Sequence, residues 1–196
     1  MSELFAEHTI ESAPPAARRA MTTTREHLGY LPSPVARMAA SPQLLDGFLR
    51  LSAIFESSTL DALAREVVVM TIATRNGCHV CAAMHTGRLA ALGADAGLIG
   101  ALRASEPLTD PRLEAVRVFT LKVLGTAGDV PDAALHAFLA QGHTWQNALE
   151  VVLGIGTYTM STLANRLTRA PLDDQLSAFA WQDRGAAEDI VRHGSR

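Results

Sequence analysis

Residues 66–85 read EVVVMTIATRNGCHVCAAMH and hold both cysteines of this 196-residue chain. The run from Asp61 to Thr74 contains neither Gly nor Pro. Val67, Val68 and Val69 would fit a short buried strand, but the Ala-rich flanks and Glu66 favour a helix, with Leu63, Val67 and Met70 as its apolar stripe. Asn76-Gly77 is a turn dipeptide, and a second helix is expected from Cys78 to Leu92, stopped by Gly93. At about 100° per residue, Cys78, Cys81 and His85 fall within a sector of roughly 60°. One helix face therefore carries two thiols and an imidazole. Cys78 stands in the first turn, where unpaired N–H groups and the helix dipole favour a thiolate. His79 points away from this face by about 100° and is expected at the surface.

The segments on either side read as helices too. Ser33-Pro34 and Ser41-Pro42 each pair a cap residue with Pro at the first helical position. The second of these helices runs to about Glu56. Asp61 marks the start of the helix that leads to the thiols. Further helices are expected at Asp95–Ala104, from Asp110-Pro111 to Leu124, from Val130-Pro131-Asp132 through Ala140, and from a Thr144 cap to about Thr168. No strand pair with a hairpin turn is present, so the fold class is all-α. Residues 1–32 read as an irregular arm with one short helix near Ala16–Leu28. Residues 33–171 form the helical domain, and 172–196 a polar tail, with a helix expected around Leu176 to Trp181.

Composition narrows the function. With 48% hydrophobic residues the chain can bury one core. A net charge of −3, a single lysine (Lys122) and scattered arginines give no nucleic-acid footprint. The uncharged run Val151–Ala164 is too short to span a bilayer. Glu3, Glu7 and Glu11 argue against a transit peptide, so a cytoplasmic protein is expected, with no membrane partner. In a reducing compartment Cys-x-x-Cys points to redox chemistry or metal binding rather than to a structural staple.

Several readings of these residues remain open. The cysteines are compatible with inert apolar packing, and Cys78, Cys81, His85 and Glu66 with a four-ligand zinc site. Glu66 is compatible with a solvent-facing position or with an arginine pair. Arg65, Arg75 and Arg166 are candidates for an anion pocket. His136 and His143 are expected at the surface.

The pattern Glu66-x11-Cys78-x2-Cys81-x3-His85 resembles the active-site signature of the carboxymuconolactone decarboxylase superfamily, in its alkylhydroperoxidase AhpD-like branch. The resemblance extends over roughly Ser41–Pro171, including Ala164-Asn165-Arg166-Leu167. Where the best-studied type carries a histidine at the second position between the cysteines, this chain has Val80, with His79 one place earlier, which suggests the peroxidase-related group.

The resemblance implies an all-helical fold with a central hairpin carrying Cys-x-x-Cys, assembled as a homo-oligomer, a trimer or hexamer. It implies a thiol-dependent peroxidase in which Glu66 and His85 relay protons for the cysteines, with attack by Cys81 and resolution by Cys78. Cys78 is expected to be the more exposed thiol. The expected partners are a peroxide and a dithiol reductant of lipoyl or thioredoxin type. Beyond the redox-active Cys78–Cys81 pair, no cofactor or metal is called for. The alternatives are a non-enzymatic redox sensor or zinc-holding oligomer, and a decarboxylase of a small lactone acid.

Overall fold

The computed structural model describes residues 5–182, and over these the chain forms helices and no strand. In chain order they are α1 (Pro15–Leu28), α2 (Ser33–Met38), α3 (Pro42–Glu56), α4 (Ala62–Arg75), α5 (His79–Ala91), α6 (Ala96–Ala104), α7 (Pro111–Thr126), α8 (Asp132–Ala140) and α9 (Trp145–Thr168). A 3₁₀ turn, Asp174–Phe179, follows. The expected all-α class holds.

Local chemistry explains where these helices begin. The side chains of Ser41, Asp61, Asp95 and Asp110 each accept a backbone N–H from the first turn they precede. Thr144 and Asn147 form a reciprocal capping box: the Asn147 N–H donates to Thr144 Oγ1 at 3.1 Å, and the Thr144 N–H donates to Asn147 Oδ1 at 3.0 Å. The end of α4 decides where the first thiol stands. Gly77 takes φ +62, a left-handed conformation that costs glycine little. Its N–H reaches the Thr74 carbonyl and that of Cys78 reaches the Ala73 carbonyl, at 3.1 and 2.9 Å. This is a Schellman closure. It delivers Cys78 directly onto the N-cap of α5, one residue earlier than the expected first turn.

Helix α4 is the centre of the molecule and packs against α3, α5, α6, α7 and α9. Every residue from Glu66 to Thr74 is buried. The stripe of Leu63, Val67 and Met70 therefore understates α4, which has no solvent face over this span because helices surround it. A second cluster joins Ala17 and Met21 of the N-terminal arm to Val35, Met38 and Leu45. A third holds both cysteines together with Ala73, Val80, Ala170 and Trp181.

The segment after α9 is anchored. Trp181 Nε1 donates to the Arg103 carbonyl at 2.9 Å, and the Arg103 guanidinium returns bonds to the carbonyls of Phe179 and Ala180. The 3₁₀ turn packs on α5. The part of the polar tail beyond residue 182 lies outside the described residues, as do residues 1–4 of the arm.

Candidate active site

The hairpin of α4 and α5 brings Glu66 and His85 together. His85 Nδ1 lies 2.7 Å from Glu66 Oε2, and the two residues are 3% and 4% exposed. The solvent-facing alternative for Glu66 is thereby removed. Burial works to raise the Glu66 pKa, but His85, and after it Arg88 and Arg65, outweigh burial and hold it below the ordinary glutamate value. The contact to the carboxylate is made through Nδ1, which leaves Nε2 as the ring nitrogen without a bond to Glu66. Arg88 bridges outward, 3.6 Å from Glu66 Oε1 and 2.6 Å from Glu56 Oε1. The His85 ring also meets Tyr158 edge-on at 5.3 Å.

Helix α9 supplies the third side of the site through a polar stripe spaced as successive helical turns. Tyr158 lies on His85. Ser161 Oγ is 3.9 Å from Cys81 Sγ. Asn165 Nδ2 donates to Cys81 Sγ at 3.2 Å and stands 4.0 Å from Cys78 Sγ. Asn76 Nδ2, in the turn before Cys78, donates to Thr162 Oγ1 at 2.9 Å, and the Arg166 guanidinium donates to the Asn76 carbonyl. These bonds tie α9 to the turn that carries the first thiol. The motif reading did not single out Tyr158, Ser161 or Asn165 as site residues. Their signal was polar residues recurring three and four apart in an otherwise apolar helix.

The two thiols differ. Cys78 is held down to about 7, first by the bond from the Cys81 thiol, which with backbone N–H groups and the Asn165 amide overcomes the opposing effect of burial. Cys81 is pushed up by that same bond, by burial and by the negative charge of Cys78. Both are buried free thiols, with Cys78 1% and Cys81 4% exposed. The expectation that the helix start leaves Cys78 the more exposed is incorrect, because the chain after α9 folds back and Ala170 and Trp181 join the apolar cluster in which both thiols are buried. A cleft of about 350 Å³ nevertheless reaches Cys78, lined also by His79, Asn165, Arg166 and Arg169. No hydrogen bond joins His85 to either sulfur among the described residues, so a proton passing between Cys81 and the ring needs a bridging water.

His79 is exposed as expected, and its pKa is lowered by burial of its ring and by Arg166. His136 is exposed, whereas His143 is a correction: it is 5% exposed, stacked on Phe138 at 4.3 Å, with Nε2 3.0 Å from the Arg112 carbonyl. An apolar neighbour on α8 and a carbonyl on α7 draw it inward. The three candidate anion-pocket arginines do not converge. Arg65 turns to Glu56 and the Leu60 carbonyl, and Arg75 borders a separate hollow beside α6 and α7. Only Arg166 reaches the thiol cleft. Among the described residues no set of His, Cys, Asp and Glu is arranged to hold a metal ion. Nor is any helix there long and apolar enough to cross a membrane.

Known proteins bear on this geometry. Residues 42–120 match the family model of the carboxymuconolactone decarboxylase family, a span that includes Glu66, both cysteines and His85 but none of α9. No curated protein matches the chain. Among solved structures, an alkylhydroperoxidase AhpD core, a peroxidase-related protein from Ralstonia eutropha JMP134, superposes with a TM-score of 0.77 at 18% identity, covering 88% of this chain and 93% of that one. A peroxidase-related protein from Silicibacter sp. TM1040 gives 0.74 at 17% identity, covering 90% and 95%. At such identities the likeness is one of fold. The carboxymuconolactone decarboxylase model thus accounts for residues 42–120 of this chain, and over most of its length the helices share the fold of the AhpD core and of the peroxidase-related structure.

Proposed function

We propose that this protein is a thiol peroxidase that cycles Cys78 and Cys81 between dithiol and disulfide, with Glu66 and His85 as the proton relay. The observation that supports it most is the buried 2.7 Å Glu66–His85 pair on the thiol face of α5. A structural ion pair would not need a thiol with a raised pKa one helical turn away. Cys81 is protonated at neutral pH and has to lose its proton to react, and His85 Nε2 is the base on its face.

The chemistry balances as follows. A thiolate attacks the terminal peroxide oxygen and the O–O bond breaks. The alkoxide leaves and takes up a proton to become an alcohol, and the sulfur becomes a sulfenic acid. The second thiol attacks that sulfur, expelling hydroxide that leaves as water and forming the Cys78–Cys81 disulfide. A dithiol reductant of lipoyl or thioredoxin type then returns two electrons and two protons. The Asn165 amide steadies negative charge on Cys81 sulfur during attack. A reducing cytoplasm is the setting in which such a cycle runs.

Family resemblance assigns the first attack to Cys81, with His85 as its base. The low pKa of Cys78 and its place on the cleft favour a second order, in which Cys78 attacks first and Cys81 resolves. The relay serves Cys81 in both. Reductant-coupled peroxide consumption, measured over several peroxides, tests the function; no consumption above the uncatalysed rate with any dithiol would reject it. Sulfenate trapping decides the order. Accumulation on Cys81 in Cys78→Ser supports the first, and on Cys78 in Cys81→Ser the second.

A further inference from the structure

The outer face of α9 is unlike the surface of the rest of the molecule. Five of its large apolar side chains are strongly exposed: Trp145 61%, Leu149 73%, Val152 48%, Leu163 56% and Leu167 70%. Their spacing is symmetric about Gly156. Val152 and the half-buried Met160 lie four residues either side of it, Leu149 and Leu163 seven, Trp145 and Leu167 eleven. Offsets of four, seven and eleven all return to within about 40° of the same helix face. The seven positions therefore form one straight stripe that reads alike from either end. Between Trp145 and Asn165 the only charged residue is Glu150, which is buried and bonded to Thr59 and Leu60.

Glycine stands at the centre of this stripe without a reason inside the monomer. Two residues earlier, Gly154 has one: a Cβ there would lie 2.7 Å from the Phe55 ring and 2.9 Å from Val68, so α9 could not approach α3 and α4. At Gly156 an added Cβ would meet nothing within 4 Å, as at the helical Gly47, Gly100 and Gly125, but of these Gly156 alone stands at the centre of the apolar stripe. An exposed mid-helix glycine is among the least favourable helix residues and does nothing for this chain alone. A second backbone passing close over that point is what a missing side chain accommodates.

From the symmetric stripe and the open glycine we infer that α9 pairs with α9 of a second copy of this chain, antiparallel, about a twofold axis through Gly156. A twofold contact is isologous and has to be complementary to itself. Because it reads alike from either end, this stripe meets that condition antiparallel and in register at Gly156, where Leu149 faces Leu163, Trp145 faces Leu167 and Val152 faces Met160 of the other copy; a parallel pair would have needed no such symmetry. A different protein partner would have no need of a stripe symmetric in this way. The pairing also brings Trp145 of each copy beside Leu167 of the other, next to Arg166 and Arg169 at the mouth of the thiol cleft. Nothing in the inference depends on the peroxidase reading.

Cross-linking in a Cys78→Ser, Cys81→Ser background tests the geometry. Leu149→Cys and Leu163→Cys are made separately and oxidised alone and mixed. Positions 149 and 163 are about 21 Å apart along one helix, so each variant alone is expected to stay uncross-linked and the equimolar mixture to give a covalent dimer. Cross-linking of either variant with itself, or none in the mixture, would overturn the pairing. Light scattering of the unaltered chain at micromolar concentration should show a mass of two chains or a multiple of two. Leu163→Glu, at a side chain the monomer leaves exposed, should halve that mass with unchanged helix content by circular dichroism. A monomeric or trimeric unaltered chain, or a Leu163→Glu variant that keeps the full mass, would also overturn the inference.

Discussion

On its inner face α9 presents Tyr158, Ser161 and Asn165, all buried, and on its outer face Trp145, Leu149, Leu163 and Leu167, all more than half exposed. A surface helix ordinarily arranges these the other way round, apolar toward the core and polar toward water. Burying polar atoms carries a penalty unless they are bonded, and here two of the inner-face residues approach the reactive sulfurs and the third approaches the His85 ring. Exposed leucines gain nothing from water. The inversion teaches that packing alone does not account for α9: its inner face carries polar groups to the thiols and His85 beside the core residues Val151 and Tyr158, and its outer face leaves large apolar side chains in water.

The strongest way to break this comparison is at the thiols the inner face serves. Cys78→Ser and Cys81→Ser should each abolish turnover with reductant, and peroxide-treated native protein should lose two hydrogens by mass spectrometry, recovered by dithiol. Residual cycling in either variant would mean that the inner face serves something other than a dithiol pair.

Next in size is the relay. Glu66→Gln should lower peroxide turnover by about 10²-fold, the usual scale for general-base loss, and His85→Ala by a similar factor. The double variant should be little worse, because the two act as one unit. Near-normal turnover in Glu66→Gln across the pH range would leave the buried pair a structural feature only.

The inner face of α9 itself is probed through Asn165. Ultraviolet thiolate absorbance of the reduced protein should rise with a midpoint near 7, from Cys78. The amide favours the thiolate, so Asn165→Ala should move that midpoint upward and lower turnover near neutral pH more than at alkaline pH. With a hydrogen bond to a charged group contributing about 1.5–3 kcal/mol, the loss at neutral pH should be roughly tenfold or more. An unmoved midpoint would detach Asn165 from the thiols.

The smallest effect sharpens the outer face. Gly156→Ala fits the open space of the single chain and should stabilise the isolated fold by up to about 1 kcal/mol through helix propensity. The same methyl group should weaken association. A higher melting temperature in dilute solution together with a larger dimer dissociation constant is the expected signature, and tighter association would contradict a close backbone crossing.

Much of the fold was legible because its signals are local. Ser41, Asp61, Asp95, Asp110 and Thr144 cap helices through bonds that span two or three residues, and Asn76-Gly77 closes α4 within one turn. Helical periodicity put Cys78, Cys81 and His85 on one face. The burial of α4 on every side was not legible in the same way, because a stripe read at helical spacing assumes one face in water.

By itself, then, the sequence determined the helix boundaries, the all-α class and the thiol face, since those rest on short-range hydrogen bonds and a fixed rise and turn per residue. Only the tertiary structure decided that Glu66 turns inward to His85, 19 residues away, that Asn165 reaches Cys81 across 84 residues, and that His143 stacks on Phe138. It also decided which thiol is the more acidic. The helix start favours Cys78, but the separation of the two pKa values comes from the bond between the thiols and the burial around them. Burial and charge depend on which groups meet in space, and no spacing along one helix carries that information.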